Sequence, residues 1–168
     1  MKVAVIGQGY VGLPLAVRSA ECGHSVIGYD IDRMKIAKLR GVYSTVEDVS
    51  DERLRAALAS GYLPTTDTLP MEKFDVAVIA VPTPLRDGDP DLSFIEDAGM
   101  VVMHHLTAGA LVVLESTTYP GTTEDILLPI LEKSNLQVGD FSLGFSPERI
   151  DPGNKAWKTK NTPKILGG

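Results

Sequence analysis

The chain has 168 residues, of which 43% are hydrophobic and 23% charged, and its formal net charge is −6. This composition is typical of a single globular domain, and at this length about 70% of the surface of the unfolded chain becomes buried on folding. The negative charge argues against a surface that binds nucleic acid or an anionic membrane, because such a surface is basic.

No apolar stretch reaches the roughly 20 residues that a membrane span requires. The apolar run at residues 3–6 is too short for the core of a signal peptide. The single cysteine, Cys22, cannot form an internal disulfide. A chain with a single cysteine is typical of the reducing cytoplasm, where we expect the protein to act.

The first predicted strand, residues 2–6, runs directly into the sequence Gly-Gln-Gly-Tyr-Val-Gly at residues 7–12, which we call the glycine turn. Gly7 is expected to make a tight bend, and Gly9 to let the backbone approach a pyrophosphate without a Cβ in the way. Gly12 is expected to let the next helix pack closely on the strand. The free N–H groups at the start of that helix attract phosphate.

Asp30 stands eighteen residues beyond Gly12, at the end of the second predicted strand. A carboxylate at this position accepts hydrogen bonds from both hydroxyls of a ribose. Together with the strand, the glycine turn and the helix, it predicts a dinucleotide-binding site. Because a carboxylate repels a 2′-phosphate, the predicted cofactor is NAD rather than NADP.

Apolar strand-like runs alternate with helical patterns along the rest of the chain. We predict strands at residues 2–6, 25–29, 75–81, 110–114 and 141–145. We predict helices at residues 11–22, 32–40, 51–59 after the N-cap Ser50, 91–106 and 122–133. Residues 87–90 are predicted to form a turn. The alternation predicts an α/β fold with three layers, a doubly wound, mainly parallel sheet of the Rossmann type.

Residues 164–166 are predicted to form one more buried strand, two residues before the sequence ends. A doubly wound fold follows such a strand with a crossover helix. We therefore expect the chain to be the front portion of a longer polypeptide.

Ligands of an open parallel sheet bind beyond the carboxyl ends of its strands. Pro82 and Thr83 follow one predicted strand and either form a stiff loop beside the nicotinamide-side ribose or simply end the strand. Ser116 and Thr117 follow another, and their hydroxyls either bind water, ribose or carboxamide or form a turn. Glu148 is either a general base or an acid held by a salt bridge in its loop.

Cys22 has the chemistry of a nucleophile. However, it lies thirteen residues beyond Gly9, which is about 20 Å along a helix. We therefore predict that Cys22 is a buried packing residue. The three histidines, His24, His104 and His105, lack the spacing of metal ligands, and we predict no metal site.

Four motifs follow one another in order along nearly the whole chain. They are Gly-Gln-Gly-Tyr-Val-Gly-Leu-Pro-Leu-Ala from residue 7, Val-Pro-Thr-Pro from residue 81, Glu-Ser-Thr from residue 115 with Pro-Gly-Thr-Thr from residue 120, and Ser-Pro-Glu-Arg-Ile-Asp-Pro-Gly-Asn from residue 146. Together they resemble the UDP-glucose/GDP-mannose dehydrogenase family. The last motif is most similar to the branch that oxidises UDP-N-acetylhexosamines, since the UDP-glucose branch usually has Pro-Glu-Phe-Leu there.

The resemblance implies that residues 1–168 form the NAD-binding domain of a UDP-sugar 6-dehydrogenase, an oxidoreductase of polysaccharide biosynthesis. Such an enzyme oxidises the C6 alcohol of a UDP-hexose to the uronate with two NAD. The aldehyde is captured by a cysteine, oxidised to a thioester and hydrolysed. The family's cysteine, lysine and asparagine for these steps lie in later parts of the full protein, so this chain alone is expected to bind NAD without turnover. Family members dimerise through a later central helix, so this chain alone is expected to be monomeric.

By position, the resemblance implies that Glu148 is the base or water-orienting acid and that Thr117 helps to hold the water. It places Lys35 at the adenosine ribose and Thr83 at the nicotinamide side. UDP-glucose members often carry a second acid where this chain has Pro152, which leaves the group that orients the nicotinamide amide unassigned. The predicted cofactor-binding residues are Gly7, Gly9, Tyr10, Val11, Gly12, Asp30, Lys35, Pro82, Thr83, Ser116 and Thr117.

Two other functions remain as alternatives. A β-hydroxyacid dehydrogenase also begins with a strand and a glycine turn, although it usually carries methionine before the third glycine. A stand-alone NAD-binding or sensor module would have no catalytic half. A downstream segment with a cysteine in a glycine-rich loop would decide for the nucleotide-sugar enzyme.

Overall fold

A six-stranded parallel sheet forms the centre of the computed structural model, which describes residues 1–86, 88–147 and 163–168. Its strands are β1 (Lys2–Ile6), β2 (Ser25–Tyr29), β3 (Tyr62–Thr65), β4 (Val76–Ile79), β7 (Leu111–Leu114) and β8 (Ser142–Phe145). The short antiparallel hairpin of β5 (Leu85–Arg86) and β6 (Asp89–Pro90) stands apart from the sheet. The strand order is β3-β2-β1-β4-β7-β8, so the chain turns back between β1 and β4. Such a reversal marks where ligands of doubly wound sheets bind.

Helices connect the strands. They are α1 (Gly12–Glu21), α2 (Arg33–Arg40), α3 (Asp51–Ala59), α4 (Ser93–His105) and α5 (Leu128–Leu131). A π-helical segment, Thr122–Leu127, precedes α5, and 3-10 turns occupy Leu69–Met71 and Glu132–Ser134. No helix among the described residues is long and apolar enough to cross a membrane.

Two hydrophobic cores lie on opposite faces of the sheet, because successive side chains of a strand point to opposite sides. In β1, Val3 and Val5 pack toward the core beneath α1, α2 and α3. Ala4 and Ile6 pack toward the core formed with α4 and the segment around α5. The predicted three-layer, doubly wound α/β fold is therefore confirmed.

Every strand predicted within residues 2–145 is present, and four of the predicted helices are found as α1 to α4 with ends shifted by up to two residues. The helix predicted at residues 122–133 is instead a π-helical segment followed by the four-residue α5 and a 3-10 turn. The turn predicted at residues 87–90 includes strand β6, and neither β5 nor β6 was predicted. The sequence analysis also missed β3. It is a four-residue strand at the edge of the sheet, where Pro64 interrupts the strand pattern and Leu63 is exposed. Proline is tolerated there because an edge strand does not need every N–H for pairing.

The prediction of a buried strand at residues 164–166 is wrong. Ile165 and Leu166 are 57% and 66% exposed. Gly167 forms an isolated antiparallel bridge with Phe145. Two apolar side chains bury too little surface to offset the conformational entropy lost when a strand is ordered.

The prediction that Cys22 is buried is also wrong, because its side chain is exposed. The buried stripe of α1 runs through Leu13, Ala16, Val17 and Ala20. A stripe with this spacing continues at residue 23 or 24 rather than at 22. Cys22 instead ends the helix as its C-cap residue.

Candidate cofactor site

The glycine turn lies at the carboxyl end of β1, and its three glycines meet different surroundings. Gly7 has φ of +93°, and a Cβ there would lie 2.4 Å from the carbonyl oxygen of Ala80. A Cβ on Gly12 would lie 1.8 Å from the carbonyl oxygen of Gly7. At Gly9, by contrast, no atom of the described residues other than Gly9 itself and its two chain neighbours lies within 4 Å of the Cβ position. The glycine turn therefore packs tightly against the protein at Gly7 and Gly12 and has free space beside Gly9.

The backbone beside this free space offers hydrogen-bond donors. Gly9 accepts a hydrogen bond from the N–H of Leu13, 3.1 Å away, at the start of α1. Within the described parts of the chain, the N–H groups of Gly9, Tyr10 and Val11 have no hydrogen-bond partner. The first turn of α1 carries no acidic side chain, so the partial positive charge of the helix end is not neutralised there. This combination favours binding of a phosphate group.

Asp30 follows β2 beside the glycine turn, and three donors hold its buried carboxylate. Oδ2 accepts from the backbone N–H of Gln8 at 2.8 Å and from the Lys35 ammonium at 2.7 Å. Oδ1 accepts from the N–H of Asp32 at 2.9 Å. A carboxylate has about four acceptor sites. With three of these sites used, the Asp30 carboxylate can accept a hydrogen bond from one ribose hydroxyl. It can accept from a second hydroxyl when the Lys35 ammonium moves aside.

Asp32 fixes the start of α2 and with it the position of Lys35. Its carboxylate accepts from the N–H groups of Met34 and Lys35, at 2.9 and 3.1 Å. These hydrogen bonds, that of Lys35 foremost, hold the pKa of the Asp32 carboxyl below its usual value. The cap therefore places the Lys35 side chain next to Asp30.

A cleft of about 270 Å³ lies at the carboxyl edge of the sheet, between the segments that follow β1, β2 and β4. Its walls are mainly apolar, with Asp30 and Lys35 on one side. It is lined by Ile6, Gly7, Tyr29, Asp30, Ile31, Asp32, Lys35, Val81, Pro82, Phe94, Asp97, Ala98 and Val101. Clefts for flat organic groups are mostly apolar with a few directed polar groups.

Hydrogen bonds tie together the loops that follow β4 and β7. The Thr83 hydroxyl donates to the carbonyl oxygen of Thr117 at 2.6 Å. The buried Ser116 hydroxyl donates to the carbonyl oxygen of Val81 at 2.7 Å. The structure thus brings these predicted residues to one edge of the sheet, and it uses the hydroxyl protons of Thr83 and Ser116 for contacts within the protein. The Thr117 side chain is exposed.

Glu115 also ends β7, and the sequence analysis did not single it out. Its buried carboxylate forms an ion pair with Lys164. Glu148 lies outside the described residues, so its predicted role stays a prediction. The described residues contain no group of three or more His, Cys, Asp or Glu side chains that would hold a metal ion.

Gln8 and Tyr62 are two polar residues of this region that the sequence analysis missed. The Gln8 side chain is completely buried, and its Oε1 accepts from the Tyr62 hydroxyl at 2.7 Å. A polar residue between two turn glycines suggests exposure, and Tyr62 lies in the strand that was not predicted. No sequence signal pointed to this contact.

A match to a known protein family agrees with this geometry. Over residues 1–168 the sequence matches the UDP-glucose/GDP-mannose dehydrogenase family, NAD binding domain. The chain belongs to this family. The predicted resemblance is therefore confirmed, and NAD is the cofactor of the matched domain.

Individual dehydrogenases of the family support this assignment. UDP-N-acetyl-D-mannosamine dehydrogenase of Pyrococcus horikoshii is 40% identical and covers 100% of this chain and 41% of its own length. UDP-N-acetyl-D-glucosamine 6-dehydrogenase of Pseudomonas aeruginosa is 41% identical over 100% of this chain and 40% of its own. The solved Pyrococcus structure superposes with a TM-score of 0.86 at 41% identity, covering 91% of this chain and 37% of that one. The chain thus spans about two fifths of the dehydrogenases it matches.

Proposed function

We propose that the chain is the NAD-binding part of a longer dehydrogenase that oxidises the C6 alcohol of a UDP-N-acetylhexosamine to a carboxylate. The observation that carries the proposal is the glycine turn, which is open only at Gly9, beside the buried carboxylate of Asp30. The names of the dehydrogenases at 40 and 41% identity support the substrate class.

The residues present fit an NAD molecule. The space at Gly9 and the N–H groups of Gly9, Tyr10 and Val11 would receive the pyrophosphate, while Asp30 and Lys35 would bind the adenosine ribose. The apolar cleft beside Asp30 would take the adenine. The loops of Pro82 with Thr83 and of Ser116 with Thr117 lie at the same edge and would face the nicotinamide half. When bound, NAD supplies an acceptor for the hydride that leaves the sugar.

The overall reaction removes four electrons from C6. One alcohol, one water and two NAD⁺ give one carboxylate, two NADH and three protons. We assign to Glu148 the activation of the water in the hydrolytic step, and to Thr117 the holding of that water. The cysteine that the family uses is not supplied by this chain, because Cys22 lies at the far end of α1.

The partners and the compartment follow from the same proposal. The substrate is a UDP-sugar, and the whole protein is a homodimer held together outside this chain, which alone is a monomer. The net charge of −6 supports the expectation that it does not bind nucleic acid. A lone exposed cysteine supports action in the reducing cytoplasm.

Turnover by the whole protein tests the proposal. With UDP-N-acetylglucosamine or UDP-N-acetylmannosamine, two NADH should form for each sugar consumed. Glu148→Gln should slow turnover about 10²- to 10⁴-fold, the usual cost of losing a general base, with NAD affinity nearly unchanged. Intact-protein mass spectrometry of this variant should show a covalent sugar adduct. One NADH per sugar would contradict the reaction, and slow turnover without an adduct would contradict the role of Glu148.

A further inference from the structure

Gln8 occupies an unusual place in the glycine turn. It lies between Gly7 and Gly9, where the chain faces the expected pyrophosphate, yet its side chain points inward and is 0% exposed. Its carboxamide Nε2 donates to the carbonyl oxygens of Val5, at 2.9 Å, and of Gly7, at 3.0 Å. Its Oε1 accepts from Tyr62. Both amide protons and the amide oxygen are thus engaged, so the side chain has one favoured orientation.

Tyr62 reaches Gln8 across the intervening strand. Val5 of β1 pairs with Gly28 of β2, which in turn pairs with Pro64 of β3. A Cβ on Gly28 would lie 2.5 Å from Cε2 of Tyr62 and 2.6 Å from Oε1 of Gln8. Gly28 therefore leaves the space in which the two side chains meet. The Tyr62 hydroxyl is buried, and burial raises its pKa, so it stays protonated and acts as the donor.

The backbone of Gln8 completes the connection to the cofactor site. Its N–H donates to Oδ2 of Asp30 at 2.8 Å. The same residue therefore fixes the carbonyl of Gly7 through its side chain and the carboxylate of Asp30 through its backbone. Because Gly7 and Asp30 flank the open space at Gly9, a change in Gln8 alters the pyrophosphate side and the ribose side together.

We propose that Gln8 and Tyr62 are positioning residues for NAD, with Tyr62 acting through Gln8. This inference rests on the proposed NAD site. Neither side chain touches the expected cofactor position, since both are buried beneath the glycine turn. Their hydrogen bonds hold the turn in the shape that binds the pyrophosphate, which lowers the conformational cost of binding.

A double-mutant cycle measured by calorimetric titration with NAD tests the inference. Tyr62→Phe removes only the hydroxyl and should weaken NAD binding by a few-fold and at most about 10-fold, the bound set by the one buried hydrogen bond that is lost. Gln8→Met removes all three side-chain hydrogen bonds at similar volume and should weaken it further. The double variant should bind like Gln8→Met alone, because Tyr62 has no effect without its acceptor. Phe74→Leu, a buried change just before the amino end of β4 and so away from the carboxyl ends of the strands, is the control for lost stability.

The outcomes separate the two claims. Failure of the unaltered protein to bind NAD would overturn the proposed function itself. Normal NAD binding by the unaltered protein and by Tyr62→Phe alike would overturn only the positioning role. Equal losses of NAD affinity in Tyr62→Phe and Phe74→Leu would show that the weaker binding comes only from lost stability, which would also overturn the positioning role. Additive losses of NAD affinity in the double variant would overturn it as well. If Gln8→Met does not fold, Gly28→Ala replaces it in the cycle, because the Cβ of the alanine would push the Gln8 and Tyr62 side chains apart. Gly28→Ala should weaken NAD binding in the same way.

Discussion

Gly9 and Gly12 lie three residues apart, yet a methyl group at each position meets opposite surroundings. At Gly9 the Cβ position is open, whereas at Gly12 it falls 1.8 Å from a backbone oxygen. Gly9→Ala should leave the melting temperature nearly unchanged and weaken NAD binding at least about 10-fold, because the methyl group would occupy the space that we propose for the pyrophosphate.

Gly12→Ala is the matched counterpart. It should cost several kcal/mol of folding free energy, since α1 can no longer pack against the glycine turn. Thermal unfolding and NAD titration of both variants check the pair. Unchanged NAD affinity in folded Gly9→Ala would contradict the placement of the pyrophosphate.

Cys22 is expected to be dispensable. Its exposed side chain ends α1 and packs into neither core. Cys22→Ser should change the unfolding free energy by less than about 0.5 kcal/mol and leave turnover of the whole protein intact. In the folded, unaltered protein the thiol should react readily with a thiol reagent. A thiol that reacts only after denaturation would show that the residue is buried after all.

Single residues could be predicted from the sequence where a motif dictates their surroundings, as at Gly7, Gly12 and Asp30. The exposure of Cys22 could have been predicted as well, because the spacing of the buried stripe in α1 already leaves residue 22 outside it. The contact between Gln8 and Tyr62 could not be predicted. It depends on the spatial adjacency of two strands that are far apart in sequence and on the absence of a side chain at Gly28.

At the scale of elements, the N-cap of α2 links stability to pH. The lowered pKa of Asp32 means that its contribution is present above the unfolded pKa, near pH 4, and is lost as the pH falls through the folded value. Asp32→Asn keeps an acceptor for the cap but does not titrate. The drop in melting temperature between pH 7 and pH 3 should therefore be smaller in Asp32→Asn than in the unaltered protein.

Asp32→Ala provides the contrast, because it removes the acceptor as well. It should be less stable than Asp32→Asn at pH 7. An identical acid profile in Asp32→Asn and the unaltered protein would show that the cap contributes no pH dependence.

Elements with strong periodicity, such as β1, α1 and α4, were predicted from the sequence nearly to the residue. The strand of the main sheet that was missed and the strand that was wrongly predicted are both short and lie at an edge of that sheet. β3 pairs on one side only and contains a proline, and residues 164–166 offer two apolar side chains. In both cases pairing with distant segments decides the structure, and a local pattern carries no information about such pairing.

At the scale of the whole molecule, the reversal of strand order between β1 and β4 brings the site together. It opens a crevice at the carboxyl edge, into which the glycine turn, Asp30 and the loop of Pro82 and Thr83 all face. The alternation of strands and helices was sufficient to predict a doubly wound sheet whose ligands bind beyond the carboxyl ends of its strands, but it did not predict where the strand order reverses.

Calorimetric titration of the protein with NAD and with NADP tests the central claim most directly. NAD should bind, and NADP should bind at least about 10-fold more weakly, because a carboxylate at Asp30 would repel the 2′-phosphate of NADP in the proposed site. Asp30→Ala should weaken NAD by about 1.5–3 kcal/mol, the value of a charge-assisted hydrogen bond. Equal affinity for NAD and NADP, or unchanged NAD affinity in Asp30→Ala, would contradict the account.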